Sequence, residues 1–395
     1  MSRLLVVRPA LALVLSLTML GAASSAADLS QSLAKIRAVA PEGRGHSEAI
    51  SAAKAIAQAE ASQLPQILAA MDGANPIATN WLRIAAESVA QRASAAGKLP
   101  KTDLEEFLAE TKHSPHARRL AYELVAAVDP TAEQRLIPTL LDDPSLELRR
   151  DAVAQLLATA AKAAEKPESL ALYQKAFRHS RDLDQIKSSA AKLRELGQSP
   201  DIAAHMGFVL HWKLIGPFDN IDDKGWDVAC PPEKKVDLAA EYDGQKGKVR
   251  WLVHATADDF GRVDLNKVLA NHKGAIAYAY AEFVADRDQP CDLRMGTSNA
   301  SQVWLNGEQI GATHVYHANE QVDQYIARGQ LKRGQNTILL KLCQNEQTEA
   351  WAQDWAFQLR VCDAIGTAIL SQARPGQKVT MAERVGERER GGGGD

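Results

Sequence analysis

An abrupt change in composition near residue 200 constrains the fold of this 395-residue chain more than any other feature. Residues 28–205 contain 39 alanines and 5 glycines, whereas residues 206–365 contain 19 alanines, 12 glycines and six of the seven tryptophans. Alanine favours helices because it loses no side-chain entropy there, whereas aromatic residues and glycines favour strands and turns. The sequence therefore predicts an all-α domain at 28–205, ended by Pro200 as a breaker, and an antiparallel β-sandwich at 206–365.

Residues 1–27 have the pattern of a secretory signal peptide. Arg3 and Arg8 precede an apolar stretch at 10–20, and small residues follow at 22–27. The apolar stretch is well short of the roughly 20 residues that span a bilayer. We expect export to the periplasm or the extracellular space, with no stable membrane insertion after cleavage; an uncleaved anchor is the alternative.

The charge balance argues against nucleic-acid binding, because 46 basic residues against 49 acidic ones leave a net charge of −3 and no cationic field. The chain lacks a Gly-x-Ser-x-Gly elbow, a phosphate-binding glycine loop and a His-Glu-x-x-His motif. We therefore predict no cofactor, no bound metal and no catalytic residue.

Helical units recur through the first region. Arg83, Arg119 and Arg150 are 36 and 31 residues apart, each within an apolar helical segment, a spacing typical of stacked helix pairs. The unit at 136–157, with its Asp142-Asp143-Pro144 turn, resembles a HEAT repeat. This resemblance implies a curved α-solenoid that acts as a protein-binding scaffold, and a plain alanine-rich bundle is the alternative.

Apolar runs in the second region predict short strands at 209–215, 249–254, 275–285, 293–295, 303–305, 338–342 and 355–361. Turns are expected at 216–220, at Asn306-Gly307 and at 333–336, and a helix at 264–271. Four segments in this order, at 212–218, 293–300, 303–307 and 331–341, resemble the galactose-binding-like jelly rolls. Close relatives of these are the sandwich modules appended to bacterial glycosidases and those of the anthrax protective-antigen type. In sugar-binding members of that type, adjacent aspartates hold calcium. Residues 297–300 (Thr-Ser-Asn-Ala) lack both carboxylates, so we expect a neutral turn there.

The segment 344–354 is the candidate ligand site. It places amides and a carboxylate (Gln344, Asn345 and Glu346) near Trp351, a mixture suited to stacking on a sugar ring and bonding its hydroxyls. Trp355 shares strand parity with apolar residues and is expected in the core. In the alternative, Trp351 folds back to cap the sandwich while the amides satisfy buried backbone groups.

Two further constellations carry weaker hypotheses. Acidic residues of the same segment (Glu346, Glu349 and Asp354) could form a glycosidase pair, but acids on one polar loop are poorly held at the required separation. His314, His317 and Glu320 have metal-ligand chemistry at short spacing, although strand geometry would direct the two histidines to opposite faces.

Four cysteines (Cys230, Cys291, Cys343 and Cys362) permit three sets of two disulfides, which stay open. If the strands that end at Cys343 and Cys362 formed a simple hairpin, those thiols would lie about 20 Å apart, too far to bridge.

Residues 366–395, rich in Arg, Glu and Gly, are predicted to be a disordered tail. The sequence as a whole predicts an exported, non-catalytic binding or scaffold protein. Its helical array would contact proteins, and its sandwich would hold a glycan or a protein partner or pack against the helical domain. The alternative is a carbohydrate-active enzyme with the sandwich as an accessory module.

Overall fold

The computed structural model describes residues 28–374; the predicted signal peptide lies outside this range. Helices run to Met206 and antiparallel sheets begin at His211, which confirms the predicted order. Contacts divide the chain between Lys192 and Leu193, ahead of the predicted boundary at 205/206. The helix Ile202–Met206 belongs with the sheets, because Arg360 donates to the carbonyl of Met206 at 3.0 Å. Within residues 28–374, no helix combines the length and apolarity that crossing a membrane requires.

Consecutive helices build the first unit: α1 (28–37), α2 (His46–Ile56), α3 (Leu64–Ala69), α4 (Pro76–Ala95), α5 (Lys101–Ala109), α6 (Pro115–Ala126), α7 (Ala132–Leu136), α8 (Leu146–Lys162), α9 (Lys166–His179) and α10 (Leu183–Glu195). The start of α4 shows why the helices form where they do. The Asn75 side chain accepts a bond from the N–H of Ala78 at 2.9 Å, and Pro76 opens the helix where its missing N–H costs nothing. One stripe of α4 is buried, at Leu82, Ala85, Ala86, Val89 and Ala93.

The regularly spaced arginines make equivalent contacts. Each bridges to a carboxylate of the next helix pair: Arg83–Glu123, Arg119–Asp151 and Arg150–Asp184. These contacts connect α4 to α6, α6 to α8 and α8 to α10. Partly exposed pairs of this kind each contribute at most about 1 kcal/mol. Their regular recurrence, rather than their strength, is what relates one helix pair to the next.

The second unit begins with α11 (Ile202–Met206) and continues as strands β1 (His211–Asp219), β2 (Glu241–Gly244), β3 (Gly247–Arg250), β4 (Leu252–Ala255), β5 (Val263–Asp264), β6 (Ala275–Ala285), β7 (Gln289–Thr297), β8 (Ala300–Leu305), β9 (Glu308–Thr313), β10 (Tyr325–Leu331), β11 (Gly334–Gln344) and β12 (Ala356–Cys362), with short helices α12 (Pro231–Lys234) and α13 (Leu265–Leu269). One antiparallel sheet has the order β4-β1-β6-β11-β8-β9 and another β10-β7-β12-β5, while β2 and β3 form a separate hairpin.

The two larger sheets share one hydrophobic core. Alternate residues of β11 (Ile338, Leu340 and Leu342) pack in it with alternate residues of β12, which include Phe357 and Leu359. Residues between them point to the outer faces, as the period of two in a strand requires. Trp355 is fully buried at this core, as predicted.

Two local predictions have different outcomes. The predicted turn at 216–220 is wrong, because β1 runs on to Asp219 and absorbs the irregularity as a register shift between Ile215 and Phe218. The turn at Asn306-Gly307 is confirmed: both residues have positive φ, 54° and 82°, in the hairpin between β8 and β9.

A segment around α12 covers the outer face of the six-stranded sheet. Lys341 of β11 is fully buried there, 3.0 Å from the carboxylate of Glu233, and also donates to the carbonyls of Trp226 and Val228. The Tyr278 hydroxyl donates to the same carboxylate. The Glu233 carboxylate therefore pairs the buried ammonium group of Lys341 and joins the segment around α12 to β6 and β11.

Cys343 and Cys362 are not on a hairpin. β11 lies in the six-stranded sheet and β12 in the four-stranded sheet, so the hairpin that would set their separation does not exist. All four cysteines are free.

Residues 366–374 are ordered, in contrast with the predicted start of the tail at Gly366. Ala368 bridges to Cys362, the N–H of Ile369 donates to Val361 at 3.0 Å, and that of Gln372 donates to Val284 at 2.9 Å. The Ile369 side chain packs on the sheet core. The sequence does not reveal this apolar contact, because charged residues dominate the predicted tail. The rest of the predicted tail lies outside the described residues.

Candidate functional site

Three loops of the second unit meet around Trp351: the 3₁₀ turn Ile221–Asp223 that follows β1, residues 314–317 that follow β9, and residues 345–354 between β11 and β12. Trp351 lies on the 3₁₀ turn Ala350–Ala352 and is 62% exposed. The ring therefore stands in solvent and does not fold back over the sheets. We call these three loops the Trp351 cluster.

Hydrogen bonds anchor the turn that carries Trp351. Lys273 donates to the carbonyl of Ala352 at 2.7 Å, and Asn266 donates to that of Gln353 at 2.8 Å. The Gln353 side chain donates back to the carbonyl of Thr348 at 2.7 Å. Partial burial lowers the pKa of Lys273. The exposed indole consequently stands on a fixed backbone rather than on a loose loop.

His317 supports the indole from the side. Its ring lies edge-to-face with Trp351 at 5.0 Å between centroids, and its Nε2 is 2.9 Å from Oδ1 of Asn345. The N–H of Gln347 donates to the same oxygen. Since that oxygen is an acceptor, Nε2 of His317 carries the proton of this hydrogen bond. The predicted residue Asn345 thus holds the ring that positions Trp351.

Glu346, also predicted, joins the third loop to the first. Its carboxylate accepts a hydrogen bond from the N–H of Asp222, while the residue remains exposed. Asp222, Asp223 and His317 all have positive φ, between 56° and 59°. Such left-handed conformations cost about 1–3 kcal/mol in non-glycine residues and are typical of functional sites.

Gln344 is not a ligand contact. It is fully buried, its amide donates to the carbonyls of Ala352 and Asp354, and its oxygen accepts from Asn299 at 2.9 Å. Asn299 also accepts from the N–H of Ala356. These bonds satisfy buried backbone groups and hold residues 297–300 as a turn. Gln344 therefore builds the floor beneath the Trp351 cluster, because strand β11 extends one residue into the segment that the sequence assigns to the loop.

Sequence reasoning missed the network on the far side of His317. The Tyr316 hydroxyl donates to Asp223 at 2.5 Å, His314 lies 2.7 Å from the other oxygen of that carboxylate, and Asn220 donates to the tyrosine oxygen at 3.1 Å. Burial and the bond to Asp223 raise the pKa of Tyr316. His314 in turn stacks on Trp226 at 4.2 Å. The signal that could have found these groups was the density of acids at 219–223 and aromatic rings at 314–317.

The proposed metal ligands have separate partners. His314 bonds to Asp223, His317 bonds to Asn345, and Glu320 forms an ion pair with Arg262 at 3.1 Å. Burial raises the pKa of Glu320. Among residues 28–374, no group of three or more His, Cys, Asp or Glu side chains has an arrangement that could hold a metal ion. His314, His317 and Glu320 are close in sequence, but each bonds to a different partner and they do not form one ligand set.

The acids of the loop also differ from a glycosidase pair. Glu346 accepts a backbone hydrogen bond, whereas Glu349 and Asp354 are exposed. A glycosidase pair needs two carboxyl groups held at a fixed separation across the sugar, whereas these three lie on one exposed loop. The arrangement can stack on and hydrogen-bond to a ligand.

No protein-family model matches the chain, and no curated protein does. The solved structures similar to it include a β-glucosidase from Kluyveromyces marxianus in complex with glucose, with a TM-score of 0.26 and 10% identity over 71% of this chain and 35% of that chain. The selenomethionine-labelled form of that β-glucosidase gives a TM-score of 0.24 and 11% identity, over 70% of this chain and 35% of that chain. This chain spans about a third of the length of those proteins. A structural similarity this low establishes neither a shared fold nor a shared function.

Proposed function

We propose that this protein is a non-catalytic carbohydrate-binding protein that works outside the cytoplasm and binds its glycan at the Trp351 cluster. The observation that carries the proposal is the exposed indole of Trp351 on a hydrogen-bonded turn. An exposed tryptophan forgoes the free energy that burying its large apolar ring would contribute. An exposed tryptophan that is nevertheless rigidly held is therefore typical of a binding surface.

The surroundings of the indole match the chemistry of a sugar. A pyranose has an apolar face that can stack on a ring and hydroxyls that both donate and accept hydrogen bonds. Glu346, Asn345 and Gln347 supply acceptors and donors near Trp351. In this proposal the sandwich is a galactose-binding-like jelly roll that binds sugar without the calcium-bound aspartates of the protective-antigen type.

The helical unit would supply protein contacts as a HEAT-like array. The recurring bridges of Arg83, Arg119 and Arg150 support this assignment, since equivalent residues of successive helix pairs make equivalent contacts. The protein would then connect a glycan to a protein partner.

The experiment combines a glycan array with a hydrolysis assay on the full chain without residues 1–27. We expect saturable binding to a defined set of glycans and no turnover of those glycans. The variant Glu346→Gln keeps the hydrogen-bonding shape and removes the charge. If the wild type hydrolyses a glycan and Glu346→Gln does not, the non-catalytic proposal is contradicted. That result would favour the alternative, a carbohydrate-active enzyme.

A further inference from the structure

The Trp351 cluster carries a concentrated negative charge. Its three loops contain no lysine or arginine and five carboxylates, those of Asp222, Asp223, Glu346, Glu349 and Asp354. Two lysines border the loops: Lys224 pairs with Asp222 at 2.8 Å, and Lys273 donates to the carbonyl of Ala352. They leave an excess of three negative charges, as large as the net charge of −3 of the whole chain.

Three of these carboxylates are available to a ligand. Glu346, Glu349 and Asp354 are exposed, and none of them forms an ion pair with any of residues 28–374. Glu349 directly precedes the turn Ala350–Ala352 that carries the indole. A ligand stacked on Trp351 would therefore meet carboxylates that no cation of the protein already holds.

The indole itself attracts a positive charge. An ammonium group within about 6 Å of the centre of a tryptophan ring is attracted by the electron-rich face of the ring. Within residues 28–374, no lysine or arginine lies over the Trp351 ring. The ring and the neighbouring carboxylates thus favour the same ligand charge, and they disfavour an anionic glycan, because like charges this close to each other repel.

We propose that the glycan of the Trp351 cluster carries unsubstituted amino groups, as an oligomer of glucosamine does. One sugar ring would stack on the indole, and the ammonium groups of that sugar and its neighbours would contact Glu346 and Glu349. This inference rests on the proposed carbohydrate binding and adds the charge of the ligand to it.

The test is a calorimetric titration of the full chain without residues 1–27 against three hexamers of matched length, of glucosamine, of N-acetylglucosamine and of lysine. A chelator is present, so that no divalent cation can bridge a ligand to the carboxylates. At about 50 mM salt we expect the glucosamine hexamer to bind at least about tenfold more tightly than either of the others. At about 500 mM salt its advantage over the acetylated hexamer should shrink severalfold, because salt screens exposed charges.

Glu349→Gln removes one charge beside the indole and keeps the shape of the side chain. It should weaken the glucosamine hexamer about two- to fivefold and leave the acetylated hexamer within about twofold. Glu308→Gln is the matched control: Glu308 is exposed and is the first residue of β9, whereas the cluster begins after Thr313, the last residue of that strand. The separation is about 17 Å along the strand, so this variant should bind all three hexamers like the wild type.

The outcomes separate this inference from the carbohydrate proposal. Binding of the acetylated hexamer as tight as that of the glucosamine hexamer, and lost in Trp351→Ala, would overturn the inference and leave carbohydrate binding standing. So would a glycan array on which only neutral or acidic glycans bind. Equal binding of the lysine hexamer would overturn it too, because the site would then recognise ammonium groups without a sugar. An array without any bound glycan would end the carbohydrate proposal itself.

Discussion

At the scale of single residues, the Trp351 cluster combines unfavourable backbone conformations with side-chain bonds that offset them. His317 has a φ of 57°, yet its ring contacts Trp351 and its Nε2 bonds to Asn345. Asp223 has a φ of 59° and accepts hydrogen bonds from Tyr316 and His314. These residues keep their conformations because their side chains are held, which fixes the surroundings of the indole before any ligand arrives.

The first prediction concerns His317 as a positioning residue. His317→Ala removes the ring beside Trp351 and the bond to Asn345, so the indole gains freedom that binding must remove. We expect the affinity for the glycan to fall about three- to tenfold, as lost side-chain order implies, with the melting temperature changed by only a few degrees.

The matched control is His46→Ala, whose ring likewise lies edge-to-face with a tryptophan, Trp81, but in the helical unit. It should keep the wild-type affinity within about twofold. Equal losses in the two variants, measured by calorimetric titration, would show that His317 has no special part in holding the indole.

The second prediction concerns the buried thiols and alkaline pH. Burial raises the pKa of Cys343 to about 12 and that of Cys291 and Cys362 to about 11. A thiol in the unfolded chain ionises near pH 8.5, so between about pH 9 and 12 the folded state binds more protons than the unfolded one. The free energy of unfolding must therefore decrease as the pH rises through this window.

Urea unfolding at pH 8 and pH 10 measures this effect. Other groups also titrate between these pH values. We therefore compare the change in the free energy of unfolding from pH 8 to pH 10 between the wild type and Cys343→Ala. The variant should lose less stability between the two pH values than the wild type does. An identical loss in both proteins would contradict a buried, protonated Cys343.

At the scale of elements, the buried ion pair of the helical unit differs from the exposed bridges. Arg118 of α6 makes two hydrogen bonds to Asp143, at 2.7 and 2.5 Å, and both residues are buried. Asp143 also accepts from the N–H of Ser145, which caps α8. This pair therefore joins α6 to the start of α8.

The third prediction is that Asp143→Ala destabilises the helical unit by about 3–5 kcal/mol, because it leaves the Arg118 charge buried without a partner. The control is Glu105→Ala, which removes a partner of the more exposed Arg135. Its expected cost is at most about 1 kcal/mol. Chemical unfolding compares the two, and similar costs would mean that the Arg118 charge finds water or another acceptor.

The elements also show what a sequence can predict. An apolar run predicts β6 at 275–285, with the bounds that the structure has. Strand parity predicts Trp355 in the core, where it lies, because the period of two is a local property. Pairing is not local: β11 pairs with β6 and β8 rather than with β12. Local sequence patterns do not indicate which distant strands pair. For this reason the hairpin assumed for the strands that end at Cys343 and Cys362 does not exist.

The same reasoning applies to the candidate site. Trp351, Asn345 and Glu346 could be found because they lie together in one unusual segment. Asp222 and His317 come from segments that are distant in the chain and meet that segment only after β1, β9 and β11 are assembled. Gln344 is buried rather than free because β11 continues through this residue, and the sequence does not fix the end of a strand to one residue.

At the scale of the whole molecule, glycan binding is our proposal for the second unit and protein contacts are our proposal for the first. All residues of the Trp351 cluster lie within residues 219–354, inside the unit that begins at Leu193. The fourth prediction is that a fragment of residues 193–395 binds the glycan with an affinity within about twofold of the full chain, measured by calorimetric titration. A folded fragment without binding would contradict the assignment of the site to one unit.

The central claim is that the indole of Trp351 is the principal contact of a carbohydrate, and one titration tests it most directly. The glycan selected on the array is titrated against the wild type, Trp351→Ala, Trp351→Phe and the exposed-residue control Val253→Ala, each checked for native circular dichroism. We predict that Trp351→Ala loses about 2 kcal/mol of binding free energy, or about 30-fold in affinity. Trp351→Phe should fall between that variant and the wild type, and Val253→Ala should bind like the wild type. Wild-type affinity in a folded Trp351→Ala protein would contradict the account.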